Sequence, residues 1–161
     1  FARKPNAQLS DVDLHEVLRD ALEVIAWRIG KRELALEIEL PPGPLMVRAG
    51  PVRFQQVIVN LLSNALDALE GRPDAQIRIT AEATPDRVVL TVADNGPGIP
   101  EGLDERIFDP FFSTKGVGSG LGLGLSISFN IVKDFGGELR LLRQPGGACF
   151  QIDLPRLGGA A

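Results

Sequence analysis

The segment "PVRFQQVIVNLLSNALDALEG" (residues 51–71) constrains the fold more than any other part of this chain. Phe54, Val57, Ile58, Leu61, Leu62, Ala65 and Leu69 recur at helical spacing and make the helix apolar around most of its circumference. Such a helix is stable only inside a domain that covers it on several sides. It opens at about Pro51 and stops at Gly71 and Pro73. One face departs from the pattern: Gln56, Asn60, Asn64 and Asp67 step along it at i, i+4, i+8 and i+11. Solvent-facing helix surfaces usually carry Lys and Glu, whereas this stripe has neutral amides and one carboxylate. Buried amides need partners.

The remaining periodicities arrange themselves around that helix. Residues 1–10, "FARKPNAQLS", read as a linker. Ser10-Asp11 offers an N-cap to a helix whose stripe is Leu14, Leu18, Leu22, Ile25 and Ile29 and which ends at Gly30. "LALEIEL" (34–40) alternates as a half-buried strand and closes at Pro41-Pro42-Gly43. Gln76–Ala83 and Arg87–Ala93, joined by Thr84-Pro85-Asp86, predict an antiparallel hairpin. Residues 94–120 break every period and have the character of a functional lid. Helical spacing resumes near Leu121 with Leu125, Phe129 and Val132 and ends at Gly136-Gly137. Two closing strands, about 138–143 and 148–154, flank Pro145-Gly146-Gly147. The order predicts an α/β (α+β) two-layer sandwich: a mixed, largely antiparallel sheet with three main helices on one face and a long lid. The domain spans 11–155, followed by a tail at 156–161.

Composition excludes several classes. Among 161 residues, 17 Lys and Arg against 21 Asp and Glu give a net charge of −4 without basic clusters, so nucleic acid is not an expected partner. One cysteine, Cys149, forbids an internal disulfide, and with one histidine, His15, no His/Cys zinc site forms from this chain alone. Cys149 reads as a small buried hydrophobe and His15 as a surface residue. No run is long and apolar enough to span a membrane, no signal peptide opens the chain, and its first residue is Phe, so an excised domain of something larger is expected.

Four stretches could carry chemistry. The amides of Asn60 and Asn64, one turn apart, suit either an internal hydrogen-bond stripe or a hard-oxygen contribution to a Mg²⁺ that borrows its other ligands from water and phosphate. "ADNGPGIP" (93–100) falls where a strand ends. It is either an Asx turn before a Gly-Pro-Gly loop, or a carboxylate, Asp94, that accepts from an exocyclic amine while Gly96 and Gly98 let the backbone approach a flat ring. In "IFDPFFSTK", Ile107, Phe108, Pro110, Phe111 and Phe112 plug the lid onto the core, and Thr114 and Lys115 are either phosphate contacts or solvated. "GVGSGLGLGLSIS" (116–128) has neither G-x-x-x-x-G-K-[ST] nor G-x-G-x-x-G spacing, yet it runs into a helix. Gly120, Gly122 and Gly124 therefore sit at or near a helix N-terminus, where free N–H groups and the dipole favour an anion.

The order of the four is specific. "NLLSNALDA" (60–68), "DNGPGI" (94–99), "IFDPFFSTK" (107–115) and "GSGLGLGLSIS" (118–128) resemble the N, G1, F and G2 boxes of the ATP-binding catalytic domain of sensor histidine kinases. That domain has the Bergerat (GHKL) fold shared with gyrase B, MutL and a heat-shock chaperone. The resemblance covers about residues 10–155, and "GLGLGLSISFNIVKDFGGELR" is most similar to C4-dicarboxylate-sensing and nitrogen-regulation-type kinases.

The resemblance implies a Mg-ATP site. Asn64 would be the Mg²⁺ ligand, Asn60 a phosphate- or metal-shell residue, and Asp94 the adenine contact, with Gly96, Gly98 and Ile99 shaping the base pocket. Asp67, Thr114 and Lys115 complete the set near the phosphates, Lys115 acting with Asn60 and Asn64 in catalysis. Gly118, Gly120, Leu121, Gly122, Leu123 and Gly124 would face the triphosphate and let the lid move. Two positions depart from the family pattern. Hydrolytic cousins carry a Glu one turn before the metal Asn; here it is Asn60, so the water-activating base is missing. Many kinases carry Lys or Arg three residues after the metal Asn; here it is Asp67, and Lys115 or another lid cation would substitute.

The phospho-accepting histidine of such kinases lies upstream, on a dimerisation domain, and His15 lacks its context. The implied partners are that dimerisation domain and a downstream response regulator. The implied setting is the cytoplasmic part of an inner-membrane-anchored bacterial sensor, with no membrane contact by the domain itself. Two rivals remain at this level: a non-catalytic nucleotide-binding or docking module of the same fold, and an anti-sigma-type serine kinase.

Overall fold

The computed structural model describes residues 9–31, 33–104, 106–110, 124–144 and 146–158. In chain order the elements are β1 (Ser10–Asp13), α1 (Leu14–Gly30), β2 (Ala35–Glu39), β3 (Met46–Ala49), α2 (Pro51–Ala68), β4 (Gln76–Ala83), β5 (Arg87–Asp94), α3 (Gly124–Asp134), β6 (Glu138–Leu142) and β7 (Cys149–Pro155). The main sheet has the order β2-β4-β5-β7-β6, with β2 parallel to β4 and every other pair antiparallel. The mixed, largely antiparallel sheet and the three helices expected from the sequence are present.

Strand alternation decides which face the helices cover. Ile77, Ile79 and Ala81 of β4, Val88, Leu90 and Val92 of β5, and Phe150, Ile152 and Leu154 of β7 are buried, while the residues between them are half-buried or exposed. Above them lies α2, flanked by α1 and α3. Its buried residues are Phe54, Val57, Ile58, Leu61, Leu62, Ala65 and Leu66, and Leu69 follows at the C-cap. Burial of each large side chain contributes about 1.5–3 kcal/mol, so α2 is the centre of the core. Gly50 is its N-cap and Pro51 stands in its first turn, where proline's missing N–H costs nothing.

Three expectations need correction. The first helix is capped by Asp13 and not by Ser10-Asp11: the Asp13 carboxylate accepts from the N–H groups of His15 and Leu45, each at 3.1 Å. Residues 10–13 instead form β1, which pairs with β3, a strand the periodicity did not reveal. The strand within 34–40 lies at the edge of the sheet, so it is more exposed than half-buried, and Ile38 keeps 42% of its surface. His15 is half-buried, with Nε2 3.1 Å from the Pro41 carbonyl oxygen. Beyond β7, Arg156 bridges to Val47 and the Leu157 N–H donates to the Met46 carbonyl at 2.8 Å, so the small sheet closes on the end of the large one.

The turn between β6 and β7 reaches the end of β5. Gly147 has φ 143°, and a Cβ built there would stand 1.8 Å from the Asp94 carbonyl oxygen. Glycine is required on both counts. Gly147→Ala is expected to lower stability by about 2 kcal/mol, a fall in Tm of about 4–8 °C by calorimetry. An unchanged Tm would show that this close approach does not occur.

Candidate functional site

β5 buries Val88, Leu90 and Val92 on the helix-covered face, and the same parity carries the Asp94 side chain onto that face at the strand's last residue. Asp94 is 8% exposed. Its Oδ1 accepts from the Gly96 N–H at 2.8 Å and from the Ala148 N–H at 3.4 Å, and its own N–H donates to the Ala148 carbonyl at 2.9 Å. Among the described residues both bonds to the carboxylate fall on Oδ1, so Oδ2 is the oxygen left to accept a donor from outside. Burial pushes the Asp94 carboxyl above its ordinary 3.8, against the opposing effect of the two amides and of Arg72 nearby. Burial and the Asp94 charge together raise the neighbouring Cys149 thiol, which is buried as expected.

The loop after Asp94 is pinned from both sides. Asn95 accepts the Gln76 N–H at 2.8 Å and donates to the Asp74 carbonyl at 2.6 Å. Gly96 is buried against the end of α2: a Cβ there would stand 2.9 Å from Asp94 Oδ1 and 3.1 Å from the Ala68 carbonyl oxygen. Gly98 has φ 80°, and Ile99 packs against the core. Three of the expected residues, Asp94, Gly96 and Gly98, thus form one backbone-lined loop against the C-terminal end of α2.

The amide stripe of α2 runs from that loop toward α3. Asn60 and Asn64 are half-buried. Asn60 Nδ2 donates to Ser128 Oγ of α3 at 3.2 Å, and the nearest side chain to Gly124, the first residue of α3, is that of Asn60. Asp67, one turn beyond Asn64, accepts from Arg28 Nη2 at 2.9 Å, while Arg28 Nη1 donates to Ser63 Oγ at 2.9 Å. In the lid, Ile107 is buried and Phe108 packs tilted against Phe129 and edge-to-face against Phe150, with centroids 5.1 and 6.3 Å away. Pro110 is exposed. Phe111, Phe112, Ser113, Thr114, Lys115, Gly116, Gly118, Gly120, Leu121, Gly122 and Leu123 lie outside the described residues.

The sequence pattern alone missed Arg28, Ser128, Asn95 and the Gly147–Ala148 turn. Arg28 had a signal: it stands three residues after Ile25 and one before Ile29, at the border of the buried stripe. Ser128 had one too, as a hydroxyl among apolar residues of a helix.

This geometry can be set beside known proteins. The family described as histidine kinase-, DNA gyrase B-, and HSP90-like ATPase matches residues 49–158. The C4-dicarboxylate transport sensor protein DctB of Rhizobium meliloti is 38% identical over 156 residues, 97% of this chain and 25% of that protein. The chain thus spans about a quarter of the length of this curated relative. The catalytic domain of histidine kinase ThkA, nucleotide-free, superposes with a TM-score of 0.82 at 34% identity, covering 92% of this chain and 97% of that one. ThkA in complex with the response regulator protein TrrA gives a TM-score of 0.78 at 32% identity, covering 92% of this chain and 42% of that one. The expected fold, with its three helices over a mixed sheet, is the one these histidine kinase domains have. The chain belongs to the histidine kinase-, DNA gyrase B- and HSP90-like ATPase family, and within it to the catalytic domains of sensor histidine kinases.

Proposed function

We propose that this domain binds Mg-ATP between α2, the 94–99 loop and the start of α3, and donates the γ-phosphoryl group to a histidine on a separate dimerisation domain. Asp94 carries the reading. A buried carboxylate with one oxygen held by main-chain amides and the other left as an acceptor matches the exocyclic amine of adenine. It mismatches the carbonyl that guanine presents at the same position. Gly96 and Gly98 bring backbone, without side chains, to the face of the base. From there Asn64 and then Asn60 lead to the N-terminus of α3, whose amides and dipole favour phosphate. By resemblance Asp67, Thr114, Lys115 and residues 118–124 are assigned to the triphosphate.

The donor set fits Mg²⁺ of a shared kind. Asn64, with Asn60 beside it, offers a neutral amide oxygen. One or two amide oxygens suit an ion that takes its other oxygens from phosphate and water. When bound, such an ion neutralises charge on the phosphate oxygens. The residues themselves orient the triphosphate so that a histidine nitrogen meets the γ-phosphorus in line: the P–N bond forms, the P–O bond to the β-phosphate breaks, and ADP leaves. Asn60 donates its amide to Ser128 and has no basic atom to activate water, which supports transfer over hydrolysis. His15 is turned to the Pro41 carbonyl, which supports an acceptor on the dimerisation domain rather than on this one. The response regulator in complex with ThkA supports a regulator as the next partner. No helix among the described residues is long and apolar enough to cross a membrane, and we assign the domain to the cytoplasmic side of its sensor.

Asn64→Ala is expected to weaken Mg-dependent ATP binding at least about tenfold, with the fold intact by circular dichroism. Unchanged affinity by titration calorimetry would remove Asn64 from the site. Asp94→Asn tests the base contact. The amide oxygen can keep the bonds to Gly96 and Ala148, which turns an N–H₂ donor toward the adenine amine. ATP affinity should fall about tenfold or more, while preference should shift toward inosine triphosphate, which presents an acceptor. Stability should move the other way. Folding raises the Asp94 pKa, so its contribution is most favourable below 3.8 and is lost as pH rises through the native value. At neutral pH, Asp94→Asn should therefore melt no lower than the parent, an advantage that vanishes below pH 3.8. Equal ATP affinity, or a marked loss of stability at neutral pH, would contradict the assignment. For transfer, the domain mixed with its dimerisation domain and γ-labelled ATP should yield acid-labile label on the histidine; none would leave a nucleotide-binding module.

A further inference from the structure

We propose that Arg28 of α1 is a phosphate-binding cation of this site, held there by Ser63 and Asp67 of α2. The inference rests on the nucleotide reading above. A triphosphate is a polyanion, yet Asn60, Asn64 and Asp67 of α2 offer it two neutral amides and one carboxylate, which alone would repel it. α2 has no basic residue in its last turn to offset this. The compensating charge comes from the neighbouring helix: Arg28 Nη1 donates to Ser63 Oγ and Nη2 to Asp67 Oδ1, both at 2.9 Å. Ser63 and Asp67 bracket Asn64 along the helix, so the guanidinium is anchored at the level of the expected metal ligand.

This pair, like Arg53–Asp134 at 31% and 20% exposure, is more sheltered than the surface ion pairs of the same chain. Arg28 and Asp67 side chains are 23% and 33% exposed, against 61% and 66% for Arg48 and Asp11. Screening by solvent is correspondingly weaker. Two anchor points on one rigid helix fix the plane of the guanidinium, and they use two of its five N–H donors. An arginine held by one edge and partly open at the other can bridge a carboxylate to a phosphate. The other described arginines around α2 serve elsewhere: Arg53 pairs with Asp134 near the opposite end of the helix, and Arg72 acts on Asp94 at the base end. The Asp at position 67, where many kinases carry Lys or Arg, then keeps a cation at the site by holding one from α1.

The test uses the purified domain with magnesium chloride and three probes: ATP and ADP by titration calorimetry, and adenosine by ligand-observed NMR. Arg28→Gln should weaken ATP and ADP about tenfold and leave adenosine within about twofold. The double variant Arg28→Gln/Asp67→Asn separates contact from neutralisation: ATP affinity should stay low, because the phosphate has lost its donor. Recovery in the double variant would overturn the proposal by showing that Arg28 only cancels Asp67. Equal loss for adenosine and ATP, or no loss, would overturn it by showing a purely structural pair. A parent domain that binds none of the three probes would instead overturn the nucleotide reading, and the proposal with it.

Discussion

Everything in this domain follows from the burial of α2. Its apolar residues are covered by the sheet below and by α1 and α3 on either side, and most are fully buried. A helix so enclosed has few directions in which a polar residue can be satisfied. Asn60, Asn64 and Asp67 therefore lie half-buried along a seam of the helix, where Asn60 reaches Ser128 of α3 and Asp67 reaches Arg28 of α1. The core and the candidate site are opposite faces of one helix, so packing that stabilises the first fixes the geometry of the second.

The other half of the site depends on strand parity. Buried alternation along β5 delivers Asp94 to the core face just where the strand ends, and desolvating that carboxylate is unfavourable. Main-chain N–H groups from Gly96 and Ala148 offset the cost on one oxygen only. A mostly buried carboxylate with one oxygen held by the main chain presents the other to a ligand. The surrounding glycines are consistent with close packing here: a Cβ on Gly96 would meet the Asp94 carboxylate and the end of α2, and one on Gly147 would meet the main-chain carbonyl of Asp94.

Much of this was legible in the sequence, for a physical reason. α2, the β4–β5 hairpin and the order of the four motifs depend on local periodicity and short turns. What escaped depends on long-range pairing. β1 and β3 are four residues each and are defined by Ser10 meeting Ala49, not by any pattern of their own. Asp13 outcompetes Ser10 and Asp11 as the cap because its carboxylate also holds Leu45, 32 residues away. In the site, Asn60, Asn64 and Asp94 could be named in advance, since each interrupts a local pattern. Arg28, Ser128 and Ala148 could not, because they arrive from 39, 68 and 54 residues away. The sequence motifs named one side of each contact, and topology supplied the other.

Nitrogen-15 NMR of the domain, titrated with a non-hydrolysable ATP analogue and Mg²⁺, tests the central claim most directly. Shift changes should centre on Asn60, Asn64, Asp94, Gly96, Gly98 and Gly124, and should spare the β1–β3 sheet at the other end of the fold. Saturable changes that bypass the Asp94 loop and the α2 stripe, or no changes at millimolar analogue, would contradict it.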